Sequence, residues 1–546
     1  MLGQMMQTPL TITSVMRHAL RHHGNREVVA VTADEPLVRS SYRDVFARAG
    51  QLANALAAAG VKPGERVATL AWNDHRHLEI YYGTSCAGTV LHTLNPRLFP
   101  EQIAWIMNHA EDCCLFVDPL VLPLAEALAP KLPAIRHWVV LTGAAHMPET
   151  SLPGAVSYED FIGPHGPDYD WPDLDENTAC SLCYTSGTTG NPKGVVYSHR
   201  STVLHAMAAC MTDVMGLSQR DSVMPVVPMF HANAWGVPYA APMAGAKIVM
   251  PGPKLADGEV LHRLMETEEV TLALGVPTIW MALLQYLEAE NKTLTSLERT
   301  IVGGAACPLS IMKEFEDRYG VWTHHGWGMT ELSPLGAINT FKRGMDELPA
   351  SDRDALRARQ GRGVFGVEMK ITGDDGAELP WDGKAFGTLK VRGPWVCAGY
   401  YRLDGDDTHD ADGWFDTGDV ATIDPDGYMQ ITDRTKDVIK TGGEWISSIE
   451  LENTAVAHPD VAEAAVIGVH HPQWTERPLL LVVPKGDAEI SDAALREWFR
   501  GKVPDWWIPD QVVAVDELPH TATGKLNKLA LRKDYADYEM PGADSA

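Results

Sequence analysis

Short apolar runs recur along the first half of the chain and read as buried strands: VVAVTA at 28–33, RVATLAW at 66–72, CCLFVDP at 113–119, HWVVLTG at 137–143 and KIVMPG at 247–252. Amphipathic stretches separate them, such as SYRDVFARAGQLANALAAAG at 41–60, which ends on glycine as helices often do. Strand and helix patterns that alternate in this way predict α/β layers with largely parallel sheets. From about residue 361 the pattern changes to short strands and Gly/Asp/Pro turns, as in VEMKITGDDGAELP and GTLKVRG. After 434 the order is strand, helix (SSIELENTAVAH), strand (AEAAVIGV), strand (PLLLVVP), helix (DAALREWFRGKV) and strand, enough for an independent core. The predicted class is α/β. Short strands follow from about 361, and the segment after 434 reads as its own small α+β unit. No internal repeat or low-complexity tract interrupts this plan.

Composition narrows the setting. At 546 residues the chain is too long for one simple core. Its 45% apolar and 21% charged residues are ordinary for a globular protein. A formal net charge of -27 argues against broad binding to nucleic acid or anionic membrane. It also means that any anionic substrate needs cations gathered locally. The start, MLGQMMQTPLTITSVMRHAL, lacks the basic opening and long apolar stretch of a signal peptide, and no apolar run reaches membrane-span length. Cys180 and Cys183 form a lone CxxC in a strand-like stretch without a second pair or histidine partner, which favours buried thiols in a reducing cytoplasm.

The chemistry starts at Tyr184-Thr185-Ser186-Gly187-Thr188-Thr189-Gly190-Asn191-Pro192-Lys193-Gly194, directly after the strand-like TACSLC. Glycines let backbone N–H groups approach phosphate oxygens, hydroxyls donate further bonds, and Lys193 supplies charge. The GK[ST] of a Walker A loop is absent, so a P-loop NTPase is disfavoured. Gly361-Arg362-Gly363-Val364-Phe365-Gly366 matches GxGxxG but follows a charged helical stretch and opens into a strand. That is the reverse of a dinucleotide site, and it reads as a structural turn.

The phosphate-binding loop resembles the signature of the adenylate-forming superfamily, which holds acyl-CoA synthetases, firefly luciferases and peptide-synthetase adenylation domains. The family's other motifs follow in order, and the likeness runs from about residue 10 to about 535. The resemblance assigns Thr185, Ser186, Gly187, Thr188, Thr189, Gly190 and Lys193 to the ATP phosphates. In His324-His325-Gly326-Trp327-Gly328-Met329-Thr330-Glu331, an aromatic between glycines suits a flat base, and Thr and Glu suit phosphate and metal. By resemblance Trp327 stacks on adenine within the segment His325–Met329, Thr330 contacts the α-phosphate, and Glu331 holds Mg²⁺ with Thr185. Gly303 and Gly304 let adenosine and acyl group approach the backbone, and Asp419 receives both ribose hydroxyls. The resemblance divides the chain into a large N-terminal domain, 1–432, of layered α/β subdomains plus a β-barrel-like part, and a small mobile α+β domain, 433–546, with Asp433 as the hinge and Arg434 a ribose contact. Lys440, Gly442, Gly443, Glu444 and Trp445 line the CoA pantetheine tunnel, and Lys525 bridges carboxylate and α-phosphate.

In Pro228-Met229-Phe230-His231-Ala232-Asn233-Ala234-Trp235-Gly236, the resemblance makes Trp235 a gate on the acyl tunnel. Gly303 lies beside it, and His231 sits near the carboxylate or the CoA entrance. A buried aromatic helix start fits the same residues. The activity implied is ATP-dependent acid–CoA ligation through an acyl-AMP, with pyrophosphate and then AMP released. Overall similarity points to 3-methylmercaptopropionate-CoA ligases, with medium- and long-chain fatty-acid ligases as the alternative. A non-catalytic nucleotide sensor is the rival from another class. A luciferase-like oxygenase lacks a suggested luminogenic substrate, and the chain ends at PGADSA without room for a carrier domain. The expected partners are the acid, ATP and CoA, with Mg²⁺ as cofactor and a homodimer as the assembly.

Overall fold

The computed structural model describes residues 1, 3–185, 191–403, 408–441, 444–486, 488–520, 526–536, 538 and 540, with Glu444 and Trp445 as backbone only. Each early apolar run forms a strand somewhat shorter than the run itself. KIVMPG yields Lys247–Met250, which stops where Pro251 would remove a ladder N–H. The helix Tyr42–Ala58 starts at a capping box, in which Ser41 accepts from the Asp44 N–H and Asp44 accepts in return from Ser41. Val45, Phe46, Ala49, Leu52 and Leu56 recur at helical spacing and form its buried face.

Among the described residues two large sheets carry the first part of the chain. One has seven strands, in the order Val156–Ser157, His137–Val140, Asp112–Val117, Arg66–Leu70, Val90–Thr93, Ala179–Tyr184 and Gly194–Ser198. All its neighbours are parallel except the last pair. The other has nine, with parallel pairing through Glu27–Ala30, Lys247–Met250, Ser222–Pro225, Leu272–Gly275, Arg299–Val302 and Trp322–Gly328. Strands covered on both faces need continuous apolar runs, which is why these were legible as runs rather than alternations.

The segment expected to be barrel-like is a four-stranded antiparallel sheet of Glu368–Thr372, Phe386–Arg392, Phe415–Ile423 and Met429–Arg434. The decoy Gly361–Gly366 opens with the short strand Arg362–Gly363, paired antiparallel to Leu335–Ile338, and turns at Phe365–Gly366. Gly361 (φ 92°) and Gly366 (φ 105°) take conformations that favour glycine, and a Cβ at Gly361 would lie 2.1 Å from the Ile338 backbone. The last part of the chain forms a five-stranded sheet with the helices Ser448–Val456 and Asp492–Phe499 packed on it. Ile439, Ile446, Leu451, Leu480, Leu495 and Phe499 belong to a core cluster confined to this part. Cys180 and Cys183 are buried free thiols whose pKa values burial raises to about 12 and about 11. No helix among the described residues is long and apolar enough to cross a membrane.

Candidate active site

A cavity of about 600 Å³ opens where the nine-stranded sheet, the four-stranded sheet and the last part of the chain meet. Thr185, His231, Trp235, Gly303, Gly304, Gly326, Trp327, Gly328, Met329, Thr330, Glu331 and Arg434 line it, so residues 249 positions apart in sequence share one space. Parallel strands deliver most of them. Val302 ends one strand just before Gly303-Gly304, and its neighbour Trp322–Gly328 carries Trp327 to the same rim. Carboxyl ends of parallel strands are where α/β sheets place ligands.

The base of the phosphate loop is clasped. The Thr185 N–H donates to the Lys193 carbonyl at 2.9 Å, and the Lys193 N–H donates to Thr185 Oγ1 at 3.2 Å. Ser186, Gly187, Thr188, Thr189 and Gly190 lie outside the described residues. The Lys193 ammonium sits 4.4 Å from the centroid of the Tyr400 ring, and the Tyr400 hydroxyl donates to Glu331 Oε1 at 2.6 Å. Burial raises the Glu331 pKa, and the Tyr400 hydrogen bond opposes that shift. Thr330 is buried, and its carbonyl accepts from the Tyr197 hydroxyl at 2.6 Å.

Trp327 is held at its ring face and at its nitrogen. Its ring lies so close over Gly336 that a Cβ there would meet it at 2.4 Å. Its Nε1–H donates to Asp419 Oδ2 at 2.9 Å, and Arg434 Nε pairs with Asp419 Oδ1 at 2.8 Å. Each Asp419 oxygen is therefore engaged once and keeps acceptor capacity for a further donor. His325 is placed differently from its motif neighbours. It is 1% exposed, behind the cavity wall, with Nδ1 3.0 Å from the Ala358 carbonyl and Nε2 accepting from the Cys307 N–H. Burial lowers its pKa to about 4, which keeps the ring neutral.

The wall facing the two-glycine turn is unusual backbone. Ala232, Asn233, Ala234 and Trp235 have φ of 42°, 52°, 46° and 54°, a left-handed turn of four successive non-glycine residues. Such backbone is unfavourable by roughly 1–2 kcal/mol per residue and persists only where the surroundings fix it. It brings Trp235 against Gly303, where a Cβ would meet the indole at 3.2 Å. Met215, Ile301 and Leu335 give this end of the cavity an apolar lining.

In the last part of the chain, the Asp433 carboxylate accepts from the Arg434 and Ser448 N–H groups at 2.8 and 2.7 Å. Lys440 is exposed on the strand Ile439–Thr441, which pairs with Glu444–Ile446. Gly442, Gly443 and Lys525 lie outside the described residues, as do the side chains of Glu444 and Trp445. Leu526, the next described residue after Lys525, lines the cavity and bridges to His520. The sequence reading passed over Tyr400, Met215 and Lys436, all on the cavity wall. Lys436 sat inside a recognised motif, whereas Tyr400 and Met215 lie in segments with no local pattern that marks a site.

These features define the AMP-binding enzyme class. The model of the AMP-binding enzyme family matches residues 16–401 and that of its C-terminal domain matches 450–525, so the chain belongs to the AMP-binding enzyme family. It is 53% identical to the 3-methylmercaptopropionyl-CoA ligase of Ruegeria lacuscaerulensis, over 98% of this chain and 99% of that protein. It is 50% identical to the medium-chain-fatty-acid–CoA ligase of Ectopseudomonas oleovorans over the full length of both. Its fold matches an anthranilate CoA ligase solved with anthranoyl-AMP, with a TM-score of 0.85 and 26% identity, over 97% of this chain and 98% of that one.

Proposed function

We propose that the chain is an AMP-forming acid–CoA ligase whose preferred acid is 3-methylmercaptopropionate or a similar short or medium aliphatic acid. One observation carries the site assignment: the base of the phosphate loop, the Trp327–Glu331 segment, the two-glycine turn and Arg434 line a single cavity with an apolar end. The substrate preference rests on full-length likeness to the Ruegeria enzyme. Medium- and longer-chain fatty acids are the second reading, favoured by the Ectopseudomonas relative.

In this reading Trp327 packs against adenine, Asp419 and Arg434 hold the ribose, and Thr185, Lys193 and Thr330 engage the phosphates. Thr185 and Glu331 face the same cavity with hydroxyl and carboxylate oxygens, a donor set that fits Mg²⁺ shared with phosphate. When bound, the ion would neutralise phosphoryl charge. The acid's carboxylate lies between Gly303 and His231, with its chain toward Trp235. A carboxylate oxygen attacks the α-phosphorus, the bond to the bridging oxygen breaks, and pyrophosphate leaves. Lys525 offsets charge on the oxygens involved, so catalysis is positioning plus electrostatic stabilisation. The part from 433 onward then turns about Asp433 and brings Lys440, Gly442, Gly443, Glu444 and Trp445 to the site. The CoA thiolate attacks the acyl carbonyl and AMP departs. The proposed setting is the cytoplasm and the proposed assembly a homodimer.

Acid-dependent exchange of labelled pyrophosphate into ATP, followed by CoA consumption with propionate, 3-methylmercaptopropionate, butyrate, hexanoate, octanoate and palmitate, tests the reading. Exchange with the highest kcat/KM on a short or medium acid is expected. A peak on palmitate with no turnover of short acids would remove the substrate assignment. Absence of exchange with every acid would favour a nucleotide sensor.

A further inference from the structure

The left-handed turn at Ala232–Trp235 needs an anchor, and one side chain supplies it. In a helical turn of either hand, residues three apart share a face. Ala232 and Trp235 accordingly both line the cavity, whereas Asn233 is 2% exposed and bonds into the protein behind it. Its Nδ2 donates to Ser181 Oγ at 2.9 Å, and its Oδ1 accepts from the Tyr81 hydroxyl at 3.3 Å and the Cys183 thiol at 3.5 Å. The single Tyr81 proton is shared with the Met229 carbonyl, the nearer acceptor at 2.5 Å, and the Met229 N–H donates to Asn73 Oδ1 at 2.6 Å. The turn is thereby tied to the helix His75–Ser85 and the strand Ala179–Tyr184. At its far end, Gly236 abuts His205, whose Nε2 accepts from the N–H of Leu335, itself on the cavity wall. Of the four strained residues, only asparagine is of a type that tolerates this conformation well.

We infer that Asn233 is a specificity-positioning residue: by anchoring the left-handed turn it holds Trp235 against Gly303 and so fixes how long an acid the cavity accepts. The inference rests on the reading that Trp235 bounds the acyl end. It makes Asn233 act through Trp235 and gives it no contact with the nucleotide.

Three variants test it through the ratio of kcat/KM for octanoate to that for 3-methylmercaptopropionate. Asn233→Ala removes both the anchor and the tolerance for positive φ, and Asn233→Gly removes the anchor alone. Both are expected to raise the ratio by on the order of tenfold, the scale on which apolar pockets discriminate chain length. The KM for ATP should stay within about twofold, because no atom of the nucleotide side is touched. Ser181→Ala, which deletes one partner of the amide, should shift the ratio the same way by less. Loss of activity in equal proportion on both acids, with a lowered melting temperature, would show a structural role only and overturn the inference. So would an unchanged ratio in Asn233→Gly, which would mean that backbone conformation alone suffices. Trp235→Ala separates the two layers. If that variant also leaves the ratio unchanged, the acyl-end reading fails; if it moves the ratio while the Asn233 variants do not, only the anchoring role fails.

Discussion

Glu331 is a buried carboxylate whose position depends on a residue from a distant loop. The Tyr400 hydroxyl holds Oε1 at 2.6 Å, and the same ring lies under the Lys193 ammonium. One tyrosine thus links the proposed metal ligand to the phosphate loop. Groups that orient a metal ligand commonly change metal affinity by about 10–100-fold when removed. Tyr400→Phe is therefore expected to raise the Mg²⁺ concentration needed for half-maximal pyrophosphate exchange by at least about tenfold. A Mg²⁺ titration that superimposes on the parent curve would sink this link. Tyr400 was illegible in the sequence because its role comes from a contact between residues 69 apart, one in a loop and the other in the short helical turn Thr330–Leu332. Trp327 was legible because glycines flank it, and Gly328 and Gly336 explain why. A Cβ at Gly328 would lie 2.1 Å from the Pro334 carbonyl oxygen, and one at Gly336 would strike the indole itself. His325 shows the limit of reading a motif as a block. It lies two residues before Trp327 on one strand, a spacing that alternation alone would put on one face, yet it is 1% exposed and is held by the Ala358 carbonyl and the Cys307 N–H.

Among the elements, the helix Lys528–Asp534 is bonded to the segment around Asp433 and Asp437. Lys528 is buried, with Nζ 2.7 Å from Glu452 Oε1 and 2.5 Å from Ser448 Oγ, and Ser448 in turn donates its N–H to Asp433. Burial works against the ammonium, but Glu452, Asp433 and Asp437 outweigh it and raise the Lys528 pKa, so the charge is kept. Arg532 pairs with Asp437 one helical turn further on. Removing one member of a buried pair leaves the other uncompensated, at a cost of about 3–5 kcal/mol. Lys528→Met should destabilise the last part of the chain by about that much. In urea, fluorescence of a tryptophan in that part should then shift to an earlier transition. An unshifted midpoint would mean that Glu452 is neutralised some other way. The five early strands were legible as continuous apolar runs that end at turn signals, and so was the order helix, strand, strand, helix, strand from Ser448 to Ala514, whereas the second strand of the 439–446 hairpin and the helix Lys528–Asp534 were not. The turn at Ala232–Trp235 was not. Its sequence carries one favourable residue, Asn233, and the conformation is imposed by Ser181, Tyr81 and Met229 from elsewhere in the fold.

Across the whole molecule, a chain of net charge -27 that takes anionic substrates sets its cavity-lining cations beside the carboxylates Glu331, Asp416 and Asp437 rather than in a purely basic pocket. Arg434 and Lys436 line that cavity directly, and Lys193 closes the base of the phosphate loop beside it. Burial lowers the Lys436 pKa, with Arg434 and Arg532 adding to the effect against Asp437, as expected where positive groups are crowded together. These cations come from both sides of residue 433, so the proposed rotation would separate them and change the charge at the site between the two half-reactions. Adenylation places charge on phosphoryl and carboxylate oxygens, which in the proposed reading Lys525 offsets. Thioester formation expels AMP, whose phosphate gains charge as it leaves, but in the proposed rotated state Lys525 no longer faces it. Lys525→Ala should therefore slow acyl-AMP formation by at least about 100-fold, the scale for losing one electrostatic stabiliser of a transition state. The rate at which supplied acyl-AMP and CoA give acyl-CoA should stay within about threefold of the parent, since no transition-state contact of that step is lost. Single-turnover assays of each half-reaction measure the two rates separately. Equal losses in both would mean that Lys525 acts on the fold or on AMP in both states, and the division of the chemistry by rotation about Asp433 would have to be abandoned.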